Sequence, residues 1–319
     1  MSGIDLVVGG AGFIGSHLAG TLLQAGRRVR VLDDLSTGRA ANLPDAVEFL
    51  EGDAADPATA ARACEGVQRV FHLAARPSVP FSIEQPEAAR RANLGTTEAL
   101  LAAATAAGVQ AMVFSSSSAV YGDLPGLPKR EDMETAPQSP YAEHKLAGEH
   151  LLREAARAGG PRAAALRYFN VYGPRQDPHS PYSGVISIFA AHALRGEAPT
   201  IFGDGEQTRD FVHVSDVVAA NLVAADALRI PQSEADPLLV ANVASGATTT
   251  VNDLWRAVWR AAGHRHDAVP EPVHAEPRAG DVRHSSADLH RLRALDWRAR
   301  TPLNDGLEET LAWVRRSGG

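Results

Sequence analysis

The sequence predicts an α/β fold: a doubly wound parallel sheet with helices on both faces, followed by a smaller C-terminal α/β unit. Two observations predict it. An apolar run, Ile4 to Val8, enters a glycine-rich turn and continues as a helix-spaced segment. Short apolar runs and helix-spaced runs then alternate through the first third of the chain, the pattern of parallel strands joined by crossover helices.

The turn holds Gly9, Gly12 and Gly15, and Leu18, Leu22 and Leu23 behind it keep a helical spacing. Glycine at the first position permits a tight turn, and at the second it lets a phosphate approach the backbone. At the third it lets the helix pack closely on the strand. The helix opening at Phe13 and Ile14 presents free N–H groups and the positive end of its dipole, a ready place for a pyrophosphate. A second strand, Arg28 to Leu32, ends at Asp33-Asp34. A carboxylate at that distance from the glycines takes both hydroxyls of an adenosine ribose and repels a 2′-phosphate. The segment therefore reads as a Rossmann-type dinucleotide site that favours NAD over NADP, with Arg39 as a reservation.

Val47 to Leu50, with Glu51-Gly52-Asp53, reads as a third strand and turn, where Asp53-Ala54 either holds an adenine amino group or sits at the surface. Val67 to Leu73 is a fourth strand, and the small Ala74-Ala75 leave room for a cofactor to lie over its end. A long helix is expected from about Glu87 to Ala107, stopped by Gly108, before a fifth strand from Ala111 to Ser115. A serine cluster, Ser115 to Ser118, follows, and later Tyr141-Ala142-Glu143-His144-Lys145. Tyrosine and lysine four apart lie on one helix face, where an ammonium is expected to lower the phenol's pKa and suit it as a general base for a sugar hydroxyl.

At 319 residues and a formal charge of −7, the chain has room for a large core and lacks the basic balance of a general nucleic-acid binder. No apolar stretch approaches a membrane span, no signal peptide is evident, and Cys64 is the only cysteine. A soluble cytoplasmic protein is expected, with no structural metal. His264, His266, His274 and His284 are spaced irregularly and read as solvated loop histidines.

The chain resembles the extended short-chain dehydrogenase/reductases, specifically nucleotide-sugar 4-epimerases of the UDP-galactose and UDP-N-acetylglucosamine type. The resemblance runs from Gly9–Leu18 through Asp33-Asp34-Leu35-Ser36-Thr37-Gly38, Phe71–Ala75, the serine cluster and Tyr141–Lys145. It continues through Arg167–Pro178 and Gly203–Phe211. It implies that Tyr141 is the catalytic base, Ser117 the catalytic serine, and Lys145 the partner of a nicotinamide ribose. Ser36, Thr37, Gly38, Leu73, Ala74, Ala75, Asn93, Ser115 and Tyr168 would complete the cofactor site. On the substrate side it implies Ser78, Ser118, Asn170 and Val185, with Arg209 and Arg278 clamping a diphosphate and Phe202 against a uracil ring. For Arg209 a surface ion pair with Asp204 or Asp210 is the alternative, and Phe202 could equally be core. The position matching Ser285 borders the sugar's C2 substituent in such epimerases, and its small size favours tolerance of an N-acetyl group.

Related 4,6-dehydratases place an Asp-Glu pair before Val-Tyr-Gly, and related decarboxylases a glutamate at the place of Ala119. This chain has Ser118-Ala119. C4 oxidation and reduction of a UDP-hexose is therefore the expected chemistry, with a UDP-glucuronate 4-epimerase, another UDP-sugar oxidoreductase or a non-catalytic cofactor sensor as alternatives. The expected NAD-binding domain covers 1–172 plus about 212–243, with Val212 to Arg229 returning to the sheet and then forming a helix. The nucleotide-sugar domain covers 173–211 and 244–319, with helices at Asn252–Gly263 and Leu303–Arg315. The resemblance also implies a homodimer, pairing the helix from Glu87 with the helix carrying Tyr141.

Overall fold

A computed structural model describes residues 3–177, 184–230, 236–264, 269–277 and 282–317. β1 (Ile4–Val8) is buried along its length. α1 (Phe13–Gln24) turns Leu18, Ala19 and Leu22 inward. β2 (Arg28–Asp33), β3 (Glu48–Glu51), α2 (Pro57–Cys64) and β4 (Val67–His72) follow, close to the expected bounds. Asp56 starts α2 by accepting from Thr59 N at 2.8 Å, and Pro57 occupies the first turn, where no N–H is needed.

The long helix expected from Glu87 is not continuous. After α3 (Val79–Glu84), α4 (Pro86–Arg90) runs into a π-helical turn, Arg91–Gly95, before α5 (Thr96–Ala106). The wide turn coincides with Asn93, whose amide binds the backbone of Arg76, a local demand that helix periodicity does not reveal. β5 (Ala111–Ser117) runs beyond Ser115 to the last residue before a 3₁₀ turn, Ser118–Tyr121. α6 (Pro140–Arg157) is capped by Ser139, whose hydroxyl accepts from Ala142 N at 3.3 Å.

The second half supplies β6 (Arg162–Tyr168), β7 (Asn170–Tyr172), α7 (Val185–Arg195), β8 (Thr200–Phe202) and β9 (Thr208–His213). Then come α8 (Val214–Ala227), β10 (Leu238–Val243), β11 (Thr248–Thr250) and α9 (Val251–Ala261). β12 (Val273–Ala275), α10 (His290–Ala294) and α11 (Leu303–Arg316) complete the described elements.

Seven parallel strands form the large sheet in the order β10-β6-β5-β4-β1-β2-β3. Strand order reverses between β1 and β4, which opens a crevice at their C-terminal ends. Alternation along the strands sends Val7, Val31, Val113 and Leu166 toward α1 and α8. It sends Leu6, Val8, Met112, Phe114 and Ala165 toward α2, α5 and α6. A third cluster gathers Phe189, Trp255, Trp259, Phe211, Leu307 and Leu311 around α7, α9 and α11.

Val212 does not return to the large sheet as expected. It lies in β9, which pairs with β7 and β11 in a separate three-stranded sheet. The chain leaves the large sheet at Phe169, whose N–H goes to Val243 O at 3.0 Å, so the next pairing partner is β9. The helix that follows, α8, does cover the large sheet through Val217, Ala220 and Ala224.

Asp5 sits inside β1 with its side chain fully buried, bonded to Arg27 Nε at 2.8 Å and Arg69 Nη2 at 2.7 Å. Burial pushes its carboxyl up, but hydrogen bonds from Arg69 and Arg27 outweigh burial and hold it below the ordinary value. Asp5→Asn removes the buried carboxylate that Arg27 and Arg69 share, leaving Arg69 only its longer pair with Asp226 at 3.4 Å, and is expected to cost about 3 kcal/mol in urea unfolding at pH 7. A depressed carboxyl stabilises above its unfolded pKa and loses that contribution as pH falls through the folded value. The difference between wild type and variant should therefore shrink on acidification. A constant difference would contradict the assignment.

Candidate active site

A cavity of about 830 Å³ lies over the C-terminal ends of β1, β2 and β4. Its floor depends on two glycines. Gly9 has φ +77°, and a Cβ there would stand 2.6 Å from Ala74 N. A Cβ on Gly15 would stand 2.2 Å from Gly9 O, so the start of α1 reaches the strand only without side chains. Gly12 is the N-cap of α1, no side chain caps this end, and the first turn holds no acidic residue. The N–H groups at Phe13, Ile14 and Gly15 thus remain available to an anion in the cavity that these residues line.

Asp33 forms another wall. It is buried and accepts from Ala11 N and Leu35 N, each at 2.9 Å. Burial pushes its carboxyl above the ordinary value, and those backbone donors pull it back in part. Asp34, Ser36, Thr37 and Gly38 continue this wall, with Asp34 accepting from Ser36 N at 2.9 Å. Asp53 and Ala54 line a further side, where Asp53 accepts from Ala55 N at 2.8 Å and Arg91 Nε at 3.1 Å. Leu73, Ala74, Ala75 and Ser78 close the β4 side. Ser78 uses its hydroxyl to cap α3, accepting from Phe81 N at 3.0 Å. An uncapped helix start facing a strand-end carboxylate across an elongated cavity fits a dinucleotide.

Sequence reasoning missed part of the lining. Arg175, Gln176 and Asp177 reach the cavity from the loop after β7, and Trp313 from α11. Arg39 pairs with Asp177 at 3.3 Å across this edge. These contacts join segments far apart in the chain, and no local motif announces them.

β5 lies beside β4, with Phe114 paired to His72, so the serine cluster stands next to the cavity's Ala74 edge. Lys145 Nζ donates to Ser115 O at 2.7 Å and reaches Ser115 Oγ at 3.5 Å. It also lies 4.8 Å from the Phe114 ring centre and 6.0 Å from that of Tyr141. Ser117 stands beside the Tyr141 phenol, and its Oγ accepts from Ala119 N at 3.2 Å. Ser118, half-buried, opens the following 3₁₀ turn.

The electrostatics correct one expectation. Burial pushes the Tyr141 phenol up, and Ser117 beside it offsets only part of that rise. Burial also brings the Lys145 ammonium down to about 7. Lys145 therefore does not hold the phenol low here, because both groups are stripped of water and the lysine's nearest partner is a backbone carbonyl. The arrangement is a buried tyrosine–lysine–serine cluster at the end of β5.

Five expected cofactor contacts, Asn93, Ser115, Tyr141, Lys145 and Tyr168, are not among the residues that line the cavity. Asn93 is fully buried and clasps the Arg76 backbone, accepting from its N–H at 2.7 Å and donating to its carbonyl at 3.3 Å. Tyr168 is buried against Asn221, whose Nδ2 donates to the phenol at 2.8 Å, and its phenol is pushed up by burial. On the expected substrate side, Asn170 is exposed, while Val185 and Phe202 are half-buried at the start of α7 and the end of β8. Arg209 Nη1 donates to Thr208 O at 2.8 Å. Asp204 binds Arg283, and Asp210 is buried and accepts from Ser245 and Gly246. Ser285 is half-buried beside Arg209, its N–H bonded to Thr208 O at 3.1 Å. Arg278 lies outside the described residues.

The histidines differ from expectation at one position. His264 stacks on Trp259 with ring centres 4.0 Å apart and bonds Ala193 O, so it is a packing residue. His274 and His284 bond Gly203 O and Thr208 Oγ1, and His266 lies outside the described residues. Among the described residues Glu131, Asp288 and His290 converge closely enough to hold an ion. Arg291 Nε stands 3.7 Å from Glu131 there and supplies a positive charge already.

Residues 6–235 match the model of the NAD dependent epimerase/dehydratase family. The chain is 40% identical to the UDP-glucose 4-epimerase of Mycolicibacterium smegmatis over 97% of this chain and 98% of that protein. A UDP-N-acetylglucosamine 4-epimerase from Methanobrevibacter ruminantium, solved with UDP-N-acetylmuramic acid, superposes with a TM-score of 0.90 at 35% identity, covering 99% of both chains. The Thermus thermophilus UDP-glucose 4-epimerase complex with NAD gives a TM-score of 0.86 at 36% identity, covering 98% of this chain and 99% of that one.

Gly15→Ala tests the cradle. The added methyl has no space against Gly9 O, so dinucleotide affinity measured by calorimetry should fall at least about 100-fold. Unchanged affinity in the folded variant would show that the cavity binds elsewhere.

Proposed function

The chain belongs to the NAD dependent epimerase/dehydratase family, and from that premise we propose that Tyr141, Lys145 and Ser117 perform its chemistry. The enzyme is an isomerase, an NAD-dependent UDP-hexose 4-epimerase acting on UDP-GlcNAc/UDP-GalNAc or UDP-Glc/UDP-Gal. The observation that carries the residue assignment is the meeting of the three side chains at the end of β5, beside the glycine-floored cavity.

When bound, NAD supplies a reversible hydride acceptor. Tyr141 removes the proton of the sugar's 4-hydroxyl as C4 is oxidised, and Ser117 bonds that oxygen and relays the proton. Lys145 orients the nicotinamide ribose and, in its charged form, steadies the phenolate. The 4-keto sugar then turns in the site, and Tyr141 returns the proton when the opposite face is reduced. Such turning needs a firmly held UDP and a loosely held sugar. We assign the grip to Arg209, Arg278 and Phe202, and the sugar's surroundings to Ser78, Ser118, Asn170 and Val185. Ala119 leaves no acid at the place where dehydration or decarboxylation needs one.

Ser285 beside Arg209 leaves room at the sugar's C2, so we assign the pocket N-acetylated as well as plain hexoses. No described helix is long and apolar enough to cross a membrane. We place the enzyme in the cytoplasm as a homodimer that pairs α6 with the α4–α5 rod. Ile83, 63% exposed on α3 beside these helices, suits a covered face.

Proton NMR of UDP-GlcNAc and UDP-glucose with wild type should show both C4 epimers forming. Tyr141→Phe should cut turnover by about 10²–10⁴-fold while UDP affinity stays nearly unchanged. A loss of binding proportional to the loss of rate would contradict the base assignment, and failure of UDP-GlcNAc alone would contradict the reading of Ser285.

A further inference from the structure

Tyr141, Lys145 and Glu149 stand at successive four-residue steps of α6, so one helix face carries all three. The first two have assigned roles. Glu149 is only 1% exposed, and its carboxylate is fully engaged. Ser116 Oγ donates to Oε1 at 2.5 Å, and Arg167 grips both oxygens, Nε at 2.9 Å and Nη2 at 2.7 Å. Arg167 Cζ in turn lies over the Tyr121 ring, 4.8 Å from its centre, and Tyr121 OH donates to Asn242 Oδ1 at 2.7 Å.

Strand alternation explains the geometry. Ser116 shares the α6-facing side of β5 with Phe114 and lies between Ser115 and Ser117. Glu149 therefore holds the residue between the two serines that serve the reaction. Ser115 presents its carbonyl to Lys145, and Ser117 stands beside the Tyr141 phenol. A shift of β5 along α6 would lengthen both contacts together. A buried bidentate ion pair resists such a shift, because separating it exposes an uncompensated charge to a dry interior.

We propose that Glu149 is a positioning residue for the reaction: through Ser116 and Arg167 it fixes the end of β5 against α6 and so sets the distances among Ser117, Tyr141 and Lys145. The inference rests on the epimerase reading above and goes beyond it, since Glu149 touches neither of the proposed catalytic contacts directly.

The decisive variant is Ser116→Ala in the NAD-loaded enzyme. It removes one hydroxyl and leaves Glu149 paired with Arg167, so the fold survives whatever the role. kcat should fall on the order of 10–100-fold, with KM for the UDP-sugar within about twofold. The acid limb of the kcat profile should move to higher pH, because a loosened Ser115 carbonyl holds the Lys145 ammonium less well. Glu149→Gln should give the same pattern, and Ser116→Ala added to it should cost little more, as expected of two groups on one link. Wild-type kcat and an unmoved profile in Ser116→Ala would overturn the proposal, even if melting temperature fell. Wild-type protein in the same run separates the two readings: an inactive wild type overturns the epimerase assignment, whereas equal rates in wild type and variant overturn only the positioning role.

Discussion

The start of α1 lies against the end of β1 with no room for a side chain between them. A Cβ on Gly15 would fall 2.2 Å from Gly9 O, and Gly9 itself turns with φ +77° against Ala74. That contact sets where the helix begins, and so where its free N–H groups point. It also brings the end of β4 alongside, so that Ala74 and Ala75 edge the cavity that α1 opens onto. The strand order reverses at the same place, between β1 and β4. The free N–H groups of α1, the Asp33 carboxylate and the edge of β4 thus meet around one close backbone contact.

The second dependence is electrostatic. The reaction centre is dry: burial alone takes Lys145 down to about 7 and lifts the Tyr141 phenol. A lysine near neutrality bonded to Ser115 O is responsive, since a negative charge forming on the phenol would favour its ammonium form. Spacing predicted an ammonium that lowers the phenol's pKa. Burial instead brings that ammonium down to about 7 while lifting the phenol. One turn further along α6 lies a buried ion pair, Glu149 with Arg167 at 2.7 Å.

Much of this was legible in the sequence. Gly9, Gly12, Gly15, Asp33 and the strands that carry them form a contiguous motif whose spacing has a direct geometric meaning. Tyr141 and Lys145 were legible for the same reason, being one helical turn apart. What escaped depends on contacts between distant segments. Nothing local in Ala163-Ala164-Ala165 marks the buried strand β6, because alanine suits helix and crowded sheet alike. The π-helical turn at Arg91–Gly95 answers to Asn93 reaching Arg76, and β9 joins the small sheet because β7 has already left the large one. Asn93 and Tyr168 are buried and are not among the residues lining the cavity. Arg39 meeting Asp177, and Trp313 reaching the cavity, need the whole fold before they can be seen.

The central claim is that hydrogen leaves C4 of the sugar and returns to it within one closed site. UDP-glucose deuterated at C4, incubated with the purified protein in ordinary water without added NAD, tests this directly by NMR. The account predicts UDP-galactose that keeps its deuterium at C4, with no net accumulation of reduced cofactor. Deuterium lost to solvent, or reduced cofactor rising with product, would contradict it.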